Sequence, residues 1–339
     1  MYNFNEIAGN EQIIKSMRSA IKNKKVSHAY IVSGDMGSGK KLISGAFAKT
    51  LVCDVQGDEP CDACISCRTF DGGNNPDVVY VYPTKTKALS VDDVREQITT
   101  DVNIKPYSHQ YKVYIIPNAD TLTTQAQNAL LKTLEEPPAY AVLILLAENV
   151  NAFLPTILSR CVLFAIKPLS LGKVENYLMQ NNHIDADKAE LFAEYSQGSI
   201  GKAVEFAESE EFAKMRRAVI DALMHIQSKE YFKLTDAAKE LEVYRNLSDV
   251  TDMIYIWYRD VLVYKITDSK EDIIEKDLLE CIAEEAKNYS YESLCTIPRL
   301  VIDTKKQIKQ NVNFVFAMEM LFINIKGEVS DDRSCRSSV

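Results

Sequence analysis

The chain lacks any uninterrupted apolar run of the ~18 residues that a membrane-spanning helix needs. Its first residues, MYNFNEIAGNEQ, also lack the basic-then-apolar order of a secretory signal, so a cytoplasmic protein with no membrane partner is expected. A basic excess is missing as well. With 39 Lys and Arg against 48 Asp and Glu, the formal charge is −9 and the pI near 5.2. Nucleic-acid binders that work alone carry a basic footprint, so the charge argues against that class, whereas it leaves open a place beside DNA within a larger assembly. Histidine is scarce, and His28, His109, His183 and His225 are isolated, without metal-ligand spacing between them. No internal repeat is evident. What remains is ordinary globular composition, 46% hydrophobic and 26% charged, in a chain of 339 residues, long enough for two or three domains.

Up to about residue 165, strand and helix patterns alternate. Ile13, Ile14, Met17, Ala20 and Ile21 recur at helical spacing. HAYIVSG (28–34) reads as a buried strand, and KKLISGAFAKTL as a helix with Leu42, Ile43, Ala46 and Phe47 inward. DVVYVYP, YKVYIIPNAD, YAVLILLAEN and CVLFAI supply four more strands; the third of these, almost wholly apolar, fits a strand buried on both faces of a parallel sheet. Ser90, with Asp93 three residues on, forms a near capping box. The helix ending in NALLKTLEEPP is stopped by Pro137 and Pro138.

After Lys167 strand signals cease. Helices are expected around 211–227, 229–242, 246–267, 271–288, 291–309 and 311–326, then a polar, disordered tail. The expected organisation is an α/β domain with a parallel sheet over 1–167, a small helical lid over 168–207, an all-α domain over 208–327 and the tail 328–339.

GDMGSGKK (34–41) has the G-x-x-x-x-G-K spacing of a phosphate-cradling loop between a strand and a helix. Gly34, Gly37, Gly39 and Lys40 are its candidate nucleotide-binding residues, through backbone N–H groups, a helix N-terminus and one ammonium. Hydrolysis needs more: a loop hydroxyl and a strand-end carboxylate to hold magnesium. Lys41 replaces the hydroxyl, and Pro117 and Asn118 stand where the carboxylates belong. Hydrolysis by this chain alone is not expected, and whether the loop holds ATP or ADP passively is left open.

Eight cysteines are present, four of them spaced Cys53-x7-Cys61-x2-Cys64-x2-Cys67. Four thiolates on short C-x-x-C steps suit a closed tetrahedral structural zinc, worth on the order of 10 kcal/mol in small modules. An iron–sulfur cluster or free thiols are the alternatives. A catalytic metal is not expected, because four cysteines leave no open position.

LPTILSRCVLF places Ser159-Arg160-Cys161 between an apolar helix and the fifth strand; alone, Arg160 reads as a helix-end surface arginine. Taken together, HAYIVSG, the glycine loop, the cysteine insert, NALLKTLEEPP and LPTILSRC resemble, in the same order, the AAA+ clamp-loader ATPases of bacterial DNA polymerase III. The resemblance covers residues 1 to about 207, and the helical remainder is similar in length and class to the collar that oligomerises such subunits. Gamma/tau-type members keep the loop threonine and an acidic pair. Lys41, Pro117, Asn118, and Gly201 where an ATP-binding relative carries its sensor-2 arginine, make the chain look like the non-hydrolysing branch.

The resemblance implies a clamp-loader complex with gamma/tau and delta subunits, acting on a sliding clamp and primer-template DNA. It implies that Arg160 reaches in trans into a neighbour's ATP site, with Ser159 and Cys161 setting its position. An active gamma-type ATPase would instead need Asp120 or Glu148 in place of the missing ligands. A nucleic-acid-binding metal module is disfavoured by Asp54, Asp58, Glu59 and Asp62 against Arg68 alone. Glu135 and Glu136 read as helix-end or interface residues, and Tyr255, Trp257 and Tyr258 as bundle core and interface.

Overall fold

The computed structural model describes residues 2–85, 88–224, 226, 230–245 and 249–336. Each of the five apolar runs forms a strand: β1 Ala29–Ser33, β2 Val78–Tyr80, β3 Lys112–Ile116, β4 Ala141–Ala147 and β5 Val162–Ala165. They pair in the order β2-β3-β4-β1-β5, every junction parallel, with Tyr30 opposite both Ile144 and Val162. Strand alternation divides the side chains between two cores. Ile31, Tyr114, Ile116, Leu143 and Leu145 face one, and Tyr30, Val32, Val113, Ile115, Ile144 and Leu146 the other. Helices on both sides are therefore required, and the crossover segments supply them.

On the second face lie α1 (Glu11–Lys22) and α2 (Lys40–Leu51), through Ile13, Ile14 and Met17 and through Ile43, Ala46 and Phe47. Leu42 corrects the expected inward face of α2: it is 48% exposed, because one residue before Ile43 is about 100° around the helix. Next comes α3 (Ile65–Asp71), inside the cysteine insert, where the sequence pattern is too short to show a helix. On the first face lie α4 (Val91–Val94), extended by a wider turn over 95–99, and α5 (Thr124–Glu135). The α4 capping box forms, the Ser90 hydroxyl and Asp93 carboxylate each serving the other's backbone N–H. Burial alone would raise the Asp93 pKa, but hydrogen bonds from Thr84 and Ser90 outweigh it and hold it at about 2. The one-turn α6 (Pro155–Leu158) leads into β5.

The remaining helices are α7 (Leu171–Asn182), α8 (Ala186–Ser196), α9 (Ile200–Glu208), α10 (Glu210–Met224), α11 (Tyr231–Leu241), α12 (Asp249–Thr267), α13 (Leu279–Glu285), α14 (Tyr291–Lys309) and α15 (Phe314–Arg336). The chain folds as two compact units, Met1–Ser170 with Gly198–Lys202, and Leu171–Gln197 with Ala203–Val339. The second unit has its own core, in which Trp257 and Tyr258 are fully buried while Tyr255 stays partly exposed.

Two expectations there are corrected. Of 271–288 only α13 is α-helical, because the buried Asp260 carboxylate accepts the N–H groups of Ile274 and Glu275 and holds that stretch irregular. Helix α15 also runs to Arg336, into the stretch expected as a tail, since nothing after Gly327 breaks a helix. His225 and residues 337–339 lie outside the described residues. No helix among the described residues is long and apolar enough to cross a membrane.

The doubly covered sheet makes a clear prediction. Leu143 is fully buried in β4, and Leu143→Ala is expected to cost about 3 kcal/mol. The check is urea unfolding of the first unit, read as a lowered midpoint at unchanged slope.

Candidate functional site

In a parallel sheet, loops that leave the carboxyl edge where the order of the strands reverses are where ligands dock. Strand β1, between β4 and β5, delivers the glycine loop there. Gly37 and Gly39 have φ of +75° and +92°, values that glycine reaches without strain, and the turn passes directly into α2.

The loop is satisfied from within. Lys40 Nζ donates to the Gly34 and Asp35 carbonyls at 2.5 and 2.9 Å and stands 3.8 Å from Glu148 Oε1. Burial lowers the Lys40 pKa, with Glu148 and Asp120 partly opposing it. Asn118 adopts a left-handed conformation and opens a short 3-10 turn. One oxygen of Asp120, Oδ2, accepts the N–H groups of Glu148 and Asn149 at 3.1 and 3.2 Å.

Residues 199–202 close onto the same loop. The Ser199 hydroxyl donates to the Met36 carbonyl at 3.4 Å, and a Cβ on Gly201 would stand only 2.7 Å from the Gly37 carbonyl oxygen. Gly201, singled out for a missing arginine, is thus a backbone contact surface.

The four cysteines converge. Their sulfurs all lie within 4.8 Å of one another, with Cys61 and Cys67 4.0 Å apart. A tetrahedral ion bound by thiolates at about 2.3 Å sets its sulfurs about 3.8 Å apart, so the cluster fits one metal ion. Backbone N–H groups of Cys61, Cys64 and Cys67 point at the sulfurs of Cys53, Cys61 and Cys64 at 3.3–3.4 Å, stabilising negative sulfur. The N–H groups of Ala63 and Cys64 lower the Cys61 thiol to about 6, while burial raises Cys53 and Cys67.

Polar ties fasten the insert to the domain. Lys49, fully buried on α2, pairs with Asp62 at 2.6 Å and Asp71 at 2.7 Å, and Arg18 pairs with Glu59. His109, set apart from the other histidines in the sequence, is tied in here: Nδ1 meets the buried Asp77 at 2.6 Å and Nε2 meets the Ser66 hydroxyl at 2.7 Å. Burial would raise the Asp77 pKa, but the N–H groups of Ser108 and Tyr107 and the His109 ring hold it below the usual carboxylate range. Partners this far apart in sequence leave no periodic signal.

Arg160 follows α6, its N–H bonded to the Ile157 carbonyl at 3.0 Å. Nη1 donates to the Thr156 carbonyl at 2.9 Å and the Ser159 hydroxyl at 3.3 Å, and Nη2 donates to Glu135 Oε1 at 2.9 Å. Glu135 is a partner that no pattern in the sequence indicates. Cys161 is half-buried, and burial pushes its thiol up to about 12. Position in the sheet is decisive. Arg160 precedes β5, whose Val162 pairs with Tyr30, whereas the glycine loop follows Ser33, which pairs with Ala165. Because β1 and β5 run parallel, the arginine and the loop lie at opposite edges, a strand length of ~13 Å or more apart.

Fold and site together define an α/β domain with a five-stranded parallel sheet, a glycine loop between β1 and α2, a four-cysteine insert and a largely helical C-terminal part. The family model described as "DNA polymerase III, delta subunit" matches residues 9–170, and that for its C-terminal part matches 210–327. The chain therefore belongs to the DNA polymerase III delta subunit family. It is 30% identical over 321 residues to DNA polymerase III subunit delta′ of Bacillus subtilis, covering 93% of this chain and 95% of that one. To subunit tau of the same organism it is 31% identical, over 80% of this chain and 52% of tau. A solved gamma-subunit-related protein from Thermotoga maritima is 17% identical, with 93% and 99% of the two chains covered and a TM-score of 0.48.

The contact between Gly37 and Gly201 predicts the effect of one methyl group. Gly201→Ala must push backbone from backbone, so it is expected to destabilise the first unit by about 1–3 kcal/mol. The check is the first thermal transition, with Gly39→Ala as a strain control, since a Cβ there meets open space but sits at a left-handed φ.

Proposed function

We propose that this chain is the delta-prime-type subunit of a DNA polymerase III clamp loader. It works in the cytoplasm beside tau/gamma-type and delta-type subunits, in the assembly that loads a sliding clamp onto primer-template DNA. In this role it does not hydrolyse ATP; it supplies Arg160 to the ATP site of a neighbouring subunit. Residues 208–327 serve as its collar, 168–207 as its lid, and Cys53, Cys61, Cys64 and Cys67 hold a structural zinc.

The observation that carries this reading is the placement of Arg160 across the sheet from its own glycine loop. A guanidinium there cannot serve a nucleotide on Gly34, Gly37, Gly39 and Lys40, but it can serve one bound next door. The loop itself supports the same view: Lys40 is spent on its own carbonyls, Lys41 replaces the magnesium hydroxyl, and one Asp120 oxygen is taken by backbone N–H groups. In a neighbour's site, a guanidinium beside the transferring phosphoryl group stabilises charge that develops in the transition state, an effect of roughly 10³–10⁵ in rate for such arginines. Ser159 holds the guanidinium and ends the short helix.

Two outcomes follow. In a complex reconstituted with the chain's own tau/gamma-type and delta-type partners, Arg160→Ala lowers single-turnover hydrolysis at the adjoining site by roughly a hundredfold or more. An unchanged rate removes the trans role, and hydrolysis by the chain alone that survives Arg160→Ala but not Lys40→Ala installs a gamma-type ATPase instead. Elemental analysis of the purified chain finds one zinc, and Cys64→Ser abolishes it and loosens the insert to proteolysis; iron in its place, or no metal, overturns the zinc assignment.

A further inference from the structure

Helix α5 ends in a defined way. The Glu136 N–H closes on the Lys132 carbonyl at 3.1 Å, and Pro137 and Pro138 forbid another turn. Glu135 therefore occupies a fixed place at the end of a helix whose Ala126, Leu130 and Leu134 are anchored in the sheet's first core. Arg160 comes from a different element, one that has only a single turn of its own. A long, flexible side chain beside so short a helix needs outside contacts to keep one rotamer.

We infer that Glu135 is a positioning residue for Arg160, fixing the guanidinium for the neighbouring ATP site; this rests on the trans role proposed above. Three contacts hold the group: the Thr156 carbonyl and Ser159 hydroxyl take Nη1, and Glu135 takes Nη2. Of the five guanidinium donors, the Nε–H and the second Nη2 proton have no acceptor among the described residues, and these can meet an incoming phosphate. The first two contacts come from the arginine's own turn and move with it. Among the described residues, only Glu135 ties the guanidinium to a separate, core-anchored helix.

The pair is also poorly placed to be a mere fold stabiliser. The Glu135 side chain is 51% exposed and that of Arg160 34%, so solvent screens most of their attraction. Its value lies in orientation.

The test uses the reconstituted complex with Glu135→Ala, Glu135→Gln, Arg160→Ala and the double variant Glu135→Ala/Arg160→Ala. Glu135→Ala is expected to lower kcat for the neighbour's hydrolysis about tenfold with KM for MgATP within about twofold. Glu135→Gln, which can still accept the hydrogen bond, restores most of that rate. In the Arg160→Ala background the Glu135→Ala change costs nothing further, because the group it positions is gone. An unchanged or raised kcat in Glu135→Ala overturns the inference, and so does an equal loss in the Arg160→Ala background. Full activity of Arg160→Ala alone overturns the trans reading and this inference with it, whereas a slow Arg160→Ala beside a normal Glu135→Ala overturns this inference alone. Should Glu135→Ala fail to assemble, Glu135→Gln with KM and kcat resolved decides the matter: a modest loss confined to kcat supports positioning, and any loss that falls in KM instead overturns it.

Discussion

Parallel pairing of β1 with both β4 and β5 is the constraint on which the rest of the first unit depends. Parallel strands cannot be joined by a tight turn, so each return of the chain requires a crossover, and the crossovers become the helices that cover both faces. The same parallelism sends every strand's carboxyl end to one edge. The glycine loop, Asn118 and Glu148 collect there, while whatever precedes a strand, Arg160 included, is delivered to the other edge. Which edge of the sheet the arginine reaches is therefore decided by strand direction before any side chain is considered.

The cysteine insert shows a different solution to stability. It is too short and too polar to bury a core of its own, and apart from α3 it has no regular structure. What fixes it is a set of charged and polar ties radiating from a few buried groups: Lys49 between Asp62 and Asp71, and His109 between Asp77 and Ser66. The four sulfurs, placed where they could hold one metal ion, gather the inside of the insert, and these ties close the outside. Buried charges held this way are costly to expose singly, so the ties act together.

How much of this is legible in the sequence follows from the range of the interactions. The five strands, the capping box at Ser90, the end of α5 at the two prolines and the cysteine spacing are local patterns, and each is realised. Leu42 falls one helical position outside the buried face, a difference that a pattern with no sharp polar boundary hides. The short α13 and the irregular stretch before it depend on Asp260, which reaches backbone more than ten residues away. His109 with Ser66 and Glu135 with Arg160 are joined across 43 and 25 positions, and no periodicity announces such pairs. Gly201 stands out in the sequence for the arginine it replaces, although its physical meaning is the close approach that its bare Cα permits.

That approach has a consequence for how the chain can change over time. Gly37 and Gly201 touch where neither has room for a side chain, and a catalytic arginine at 201 would collide with the loop's backbone. Any side chain at 201 would first require the segment around it to withdraw from the loop. The glycine pair thus ties what residue 201 can become to the conformation of the loop at 37.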